Sequence, residues 1–212
     1  MHLKNSIFKN YFSNYKQWDF FVFSVLTILS ILYGQITVFY LIYFFWWYEV
    51  IRIVVDSLCF KKNPNAVIDS EQNTFNFGML FQMGIYFVFI VVFFGLMANW
   101  ENKNIMIINF EILWFQNWFF NLNLLFVLFE RVYIHKAKLP VKVSFGSFTP
   151  NMIVLHVAII LGALILFFIV KNYPEIFTPN NLWGSVLIVM PFLLLKRLVQ
   201  YFSSDNQKIK HT

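Results

Sequence analysis

The sequence predicts an all-α protein, a polytopic transmembrane bundle of six spans, and three observations predict it. Of the 212 residues, 59% are hydrophobic and only 12% charged, against roughly 25% charged in a soluble domain. The apolar residues fall in runs matching the ~20 residues a spanning helix needs. Folding those runs back and forth also gathers nearly all the basic residues on one side. A water-soluble globule needs a polar coat that these residues cannot supply, so the bilayer is the solvent for most of the surface.

The first apolar block, 20–60, contains only Glu49, Arg52 and Asp56 as charges. At ~1.5 Å per residue it is about twice a bilayer thickness, so it must fold back. Tyr33-Gly34-Gln35 is its one turn signal, giving spans at 18–33 and 36–59. The third span is 75–98, ended by the polar stretch Asn99-Trp100-Glu101-Asn102-Lys103-Asn104. The fourth, 105–132, is the least hydrophobic. The fifth, 152–170, follows Pro150, and the sixth, 182–202, carries Pro191, which removes one backbone bond and favours a kink. No loop is long enough for a separate domain, so 1–212 is a single integral membrane domain.

Charge placement tests this arrangement. With the N-terminus inside, fourteen Lys and Arg residues lie in cytoplasmic segments or at inner helix ends, while the outer loops hold only Lys103 and Lys171. A five-span alternative merges the first two helices and mixes the charges across both faces, so six spans with both termini cytoplasmic fits better. The expected location is a cell inner (plasma) membrane. Lys4, Lys9 and Lys16 resemble a signal peptide's charged start, but the apolar run continues through two spans without a small-x-small cleavage site, as in an uncleaved anchor. Ile7, Phe8, Tyr11, Phe12, Tyr15 and Trp18 oppose Lys9, Ser13 and Lys16 at helical spacing. That pattern suits an amphipathic helix on the cytoplasmic leaflet, with a frayed tail as the alternative.

Ionisable groups within apolar runs are costly unless paired or hydrated. Glu49, Arg52 and Asp56 fall within about 60° of one helix face, as an i,i+3 and an i,i+4 pair that leaves one excess carboxylate. In the fourth span Asn109, Gln116, Asn123 and Glu130 recur every seven residues, a stripe that must face partner helices or water. Asn117 and Asn121 flank it, and Glu111 lies opposite. Gln82 and His156 sit in the inner halves of the third and fifth spans, and Lys196 and Arg197 end the sixth within snorkelling reach of headgroups. Each polar group has a bland reading as interhelical hydrogen bonding, at about 1 kcal/mol apiece. The other reading is a shared inner-half cluster.

Several chemistries lack their parts. Cys59 is the only cysteine, so no internal disulfide or multi-cysteine zinc site can form. There is no H-E-x-x-H, G-x-S-x-G, Walker loop, dinucleotide fingerprint, arginine ladder or T-V-G-Y-G filter. Of the histidines only His156 lies inside an apolar run, which leaves no haem pair. The sequence therefore implies no metal and no cofactor. The +6 charge flanks apolar runs and forms no nucleic-acid-binding patch, so membrane lipid is the expected partner. A homo-oligomer or membrane-protein partner stays open.

The layout resembles an uncharacterised family of small prokaryotic six-helix integral membrane proteins. The resemblance rests on Phe45-Trp46-Trp47-Tyr48-Glu49-Val50, an aromatic-Trp-x-Glu signature in the second helix. It rests also on Leu155-His156-Val157-Ala158-Ile159-Ile160-Leu161-Gly162, a Leu-His-x-x-Ile-x-x-Gly helix near the end. Where such proteins tend to carry His-Tyr-Gly in the third helix, this chain has Gln82-Met83-Gly84. The resemblance implies the architecture and draws attention to Glu49 and His156, without an activity.

Three functional classes remain. The leading one binds or conducts a small polar species or proton, with Glu49 titrating, Arg52 as counter-ion, and His156 and Gln82 as hydrogen-bond partners. A membrane-embedded enzyme acting on lipid would need an opening from the cytoplasmic leaflet onto Glu49 and His156. A non-catalytic subunit or scaffold would use small-residue faces such as Ala158 and Gly162 as interfaces.

Overall fold

A chain in hydrocarbon must satisfy its backbone internally, and this chain does so almost wholly in helices. The computed structural model describes residues 15–68, 77–143, 149–178 and 181–208. Most of the expected N-terminal amphipathic segment, 1–14, lies outside the described residues.

Helix α1, Tyr15–Leu32, ends where the turn signal predicts. Gly34 takes the left-handed conformation (φ 65), and the Gly34 and Gln35 amides donate back to the carbonyls of Ile31 and Ser30 at 2.9 Å. Thr37 then caps α2, Val38–Cys59, its hydroxyl accepting the Tyr40 amide at 3.1 Å. Every α2 residue from Val38 to Trp46 is buried, which makes α2 the central helix. It packs against α5, α6 and the part of α3 level with the α1–α2 turn, the end termed outer and its opposite inner, while α1 packs on α5 and α7.

Helix α3 starts as Phe77–Phe89, widens into the π-helical turns Ile90–Leu96 and tightens at Met97–Asn99. Helix α6 repeats the device, passing from Pro150–Leu164 into π-helical Ile165–Val170. Helix α7 is Leu182–Lys208, with Pro191 inside it. Among the described residues four helical stretches are long and apolar enough to cross a membrane: Val38–Lys62, Phe81–Asn99, Lys103–Lys136 and Met152–Val170, with Phe20–Leu32 a shorter apolar helix. Phe21, Phe81, Phe129, Ile160, Phe168 and Leu187 are all more than half exposed, a surface suited to lipid and a liability in water. Trp100, Trp118 and Trp183 are exposed near helix ends on the side of the α1–α2 turn, as an interfacial aromatic belt would be.

The fourth expected span, 105–132, is not one helix. Helix α4, Lys103–Leu113, stops at a left-handed Phe115 (φ 57), and α5, Trp118–Lys136, restarts after it. The Gln116 amide bonds the Glu111 carbonyl at 2.7 Å and the Phe115 amide bonds Ile112 at 3.2 Å, the two closures of a Schellman end. Asn117 caps the restart, accepting the Phe120 amide at 2.9 Å. The ring of Phe119 meets Tyr33 at the α1–α2 turn, and Arg131 and His135 meet Asp56 at the inner end of α2. Helix α5 therefore runs the length of α2 by itself, and α4 is an additional outer segment.

A small two-stranded sheet, which the sequence reading did not foresee, joins two loops on the inner side. Strand β1, Ala66–Ile68, pairs parallel with β2, Val141–Val143. Ile134, Val141 and Val143 form its buried core, with Phe60, Ala66 and Leu139 against it. The Asn63 and Asn65 amides donate to the carbonyls of Leu139 and Lys138 at 2.9 and 2.7 Å.

Two glycines test this packing. A methyl group on Gly184 would sit 2.1 Å from the Ile176 carbonyl oxygen, whereas nothing lies within 4 Å of one on Gly84. Gly184→Ala should destabilise the protein by ~1–3 kcal/mol. Gly84→Ala should be neutral or stabilise by up to ~1 kcal/mol. Thermal unfolding in a single detergent compares them, and equal midpoints would show that α7 does not lie so close to 171–177.

Candidate functional site

Two polar groups lie in the inner half, and they are separate. The first is built on α2. Glu49 and Arg52 are one turn apart and pair in parallel, Arg52 Nε to Glu49 Oε2 at 2.8 Å and Nη2 to Oε1 at 2.5 Å. Arg52 Nη1 reaches Asp56 Oδ2 at 3.4 Å. From α5, Arg131 grips Asp56 through both carboxylate oxygens, each at 2.6 Å, and His135 Nε2 lies 2.8 Å from Oδ1. Thr149, the cap of α6, donates to Glu49 Oε1 at 3.4 Å. Glu49, Arg52, Asp56 and His135 are each at most 5% exposed.

The excess carboxylate left by the sequence reading is thus neutralised by Arg131. Two guanidiniums face two carboxylates, and His135 supplies a further hydrogen bond. Arg131, His135 and Thr149 were not among the sequence candidates. The only local signal was that Arg131 and His135 stand one turn apart at the inner end of an apolar run.

The second group links α3 and α6. Gln82 Nε2 donates to the Tyr86 hydroxyl at 2.9 Å, Tyr86 bonds His156 Nε2, and His156 Nδ1 lies 2.6 Å from the Met152 carbonyl. All three side chains are half-buried. Neither Glu49 nor Arg52 is bonded to any of them in the described structure, so the convergence expected from sequence divides in two. Tyr86 is the member that sequence reasoning missed, because one tyrosine in an aromatic-rich run carries no signal.

The seven-residue stripe does not form a continuous face. Gln116 is exposed in the break between α4 and α5, and Glu130 is half-buried. Asn109 bonds the Thr37 hydroxyl at 2.8 Å and the Gly95 carbonyl at 3.1 Å, one of the carbonyls in the π-helical turns of α3. Asn123 Nδ2 donates to the Tyr40 hydroxyl at 3.0 Å. Asn109 and Asn123 therefore join helices in the outer half. Lys196, expected to snorkel, is buried, with Nζ 4.2 to 5.2 Å from the ring centroids of Phe23, Phe44 and Tyr48.

A small cleft with room for about 20 Å³ opens at the outer end, lined by Thr37, Asn99, Ile105, Phe177 and Ser185 among others. It contains none of the inner-half candidates. Among the described residues no three His, Cys, Asp or Glu side chains converge as a metal site. No protein-family model, no curated protein and no solved structure matches the chain.

Removing one member of a buried charge cluster leaves the others unpaired, at ~3–5 kcal/mol. Asp56→Asn should cost that much, since three cationic or donor groups depend on it, and Glu49→Gln should cost less. Denaturation midpoints of the two variants in mixed micelles decide, and an unchanged Asp56→Asn would mean that the cluster does not hold α2 to α5.

Proposed function

We propose that the chain is a six-span integral protein of a plasma (inner) membrane, with both termini cytoplasmic. Its role is to bind an amphipathic molecule drawn from the inner leaflet. The observation carrying this reading is the hydrogen-bonded Gln82–Tyr86–His156 group, half-exposed on a face otherwise made of apolar side chains. A polar group facing hydrocarbon is expensive to maintain without a partner. Ile153 and Ile160 flank His156, and Phe89 follows Tyr86 one turn along α3, all of them exposed.

The membership suggested by the aromatic-Trp-x-Glu and Leu-His-x-x-Ile-x-x-Gly signatures is part of this proposal, with different roles for the two marked residues. Glu49 would serve as structure and His156 as the binding group. Conduction of a proton or small polar species through Glu49 is the second reading. Its support is the density of charge around α2. Against it, the cluster is closed, with both carboxylates held by guanidiniums. Orientation draws its support from the fourteen-to-two distribution of basic residues and from the exposed tryptophans on the opposite side.

Two experiments test the proposal. In a Cys59→Ser background, Lys103→Cys and Lys171→Cys should react with an impermeant maleimide from outside the cell. Lys62→Cys and Lys138→Cys should react only after permeabilisation, and the reverse pattern would overturn the topology. Native mass spectrometry of the purified protein should show a bound amphipathic molecule that His156→Ala releases and Glu49→Gln retains. Identical adducts on wild type and His156→Ala would sink the binding reading.

A further inference from the structure

We infer that the molecule taken at Gln82–Tyr86–His156 is uncharged and bears a hydroxyl, as a diacylglycerol or another long-chain alcohol does, and is not a phosphate-headed phospholipid. This rests on the inner-leaflet binding reading above. The first argument is the direction of the hydrogen bonds. A carbonyl oxygen only accepts, so the 2.6 Å contact to Met152 puts the proton of His156 on Nδ1. The Tyr86 oxygen already accepts from Gln82, so its own proton points to His156, and Nε2 is the acceptor of that bond.

A hydroxyl inserted between these two groups keeps every bond satisfied. Tyr86 donates to the ligand oxygen, and the ligand's O–H donates to His156 Nε2. Gln82 Nε2 holds the Tyr86 oxygen at 2.9 Å, and its own carbonyl oxygen is a second acceptor at the edge of the site. A ligand with acceptors alone would strand the His156 lone pair, because an Nε2 that accepts from Tyr86 has no proton to give.

Charge makes the second argument. No Lys or Arg occurs from 63 to 102 or from 143 to 170, so neither helix of the site carries a cation. A phosphate held here would lack the charge-assisted partners that normally bind it. Lys61, Lys62, Lys136 and Lys138 belong to the other loop ends, and Lys142 lies in β2, eight residues before α6.

Depth and shape make the third. Gln82 lies five residues into α3 and His156 six residues beyond Pro150, about 8–9 Å along either helix. That is below the phosphates and near the glycerol oxygens of a bilayer whose apolar core is ~30 Å thick. Outward from the site, Phe89 stacks on Phe93 at 5.1 Å and Phe93 meets Phe167 at 5.6 Å, so apolar rings follow the polar group along both helices.

The test uses the full chain in phosphatidylcholine nanodiscs carrying a trace of photoactivatable diacylglycerol or, separately, photoactivatable phosphatidylglycerol. Cross-linked peptides are located by mass spectrometry. The diacylglycerol probe should label 77–89 and 150–164 several-fold more than the phosphatidylglycerol probe. Tyr86→Phe keeps the ring and removes only the hydroxyl, so it guards against a misfolded His156→Ala. Each should cut diacylglycerol labelling about tenfold, the loss of one hydrogen-bonded link. Equal labelling by both probes, still lost in the variants, would overturn the ligand class and leave the binding reading standing. No labelling at these peptides, or labelling that both variants preserve, would overturn both.

Discussion

The carboxylate of Asp56 is the constraint on which the inner half depends. It is fully buried and takes hydrogen bonds from Arg131 and His135 on α5 and from Arg52 on its own helix. A lone carboxylate there would be costly in a low dielectric, and two guanidiniums brought in without it would be costlier. The three helices that supply these groups and Thr149 are therefore fixed in register by mutual neutralisation. Such a cluster adds little net stability compared with well-packed apolar side chains, but it pairs its charges in one arrangement. Slipping α5 by one turn along α2 would strand a charge.

The outer half is joined differently. Its helices meet through neutral groups: Thr37 with Asn109, Asn123 with Tyr40, and the π-helical carbonyls of α3 with Asn99 and Asn109. A π-helical turn leaves carbonyls badly placed for the usual helical bond, and amide side chains satisfy them. Close packing of rings fills the rest, with Tyr43 stacked on Phe120 at 5.5 Å and Phe39 on Tyr43 at 5.1 Å. Charge near the inner face and amides near the outer one divide the bundle into two chemistries, joined along α2.

Separating the two inner-half groups changes which residues are free to act. Glu49 and Asp56 look the more reactive in sequence, since charge is rare in an apolar run. In the fold their oxygens are engaged and closed from the surroundings. His156, Tyr86 and Gln82 carry no formal charge, yet they are half-exposed where α3 meets α6. Accessibility, more than polarity, decides which group can meet a ligand.

The sequence by itself determined the solvent, the helical class, the α1–α2 turn and the charged stripe on α2. Each follows from local information: run length against bilayer thickness, a glycine where a left-handed residue is needed, and carboxylate and guanidinium three and four residues apart. The break after α4 was hidden because its left-handed residue is Phe115, with neither glycine nor proline to mark it; Asn117 as a restart cap was the one trace. Only the tertiary structure decided that Arg131 and His135 complete the Asp56 cluster, 75 and 79 residues away in the chain. It likewise decided that Tyr86 meets His156 across 70 residues and that β1 meets β2. A single sequence records what each helix presents, while the pairing of faces comes from the order and rotation of helices, set by packing and charge balance over the whole bundle.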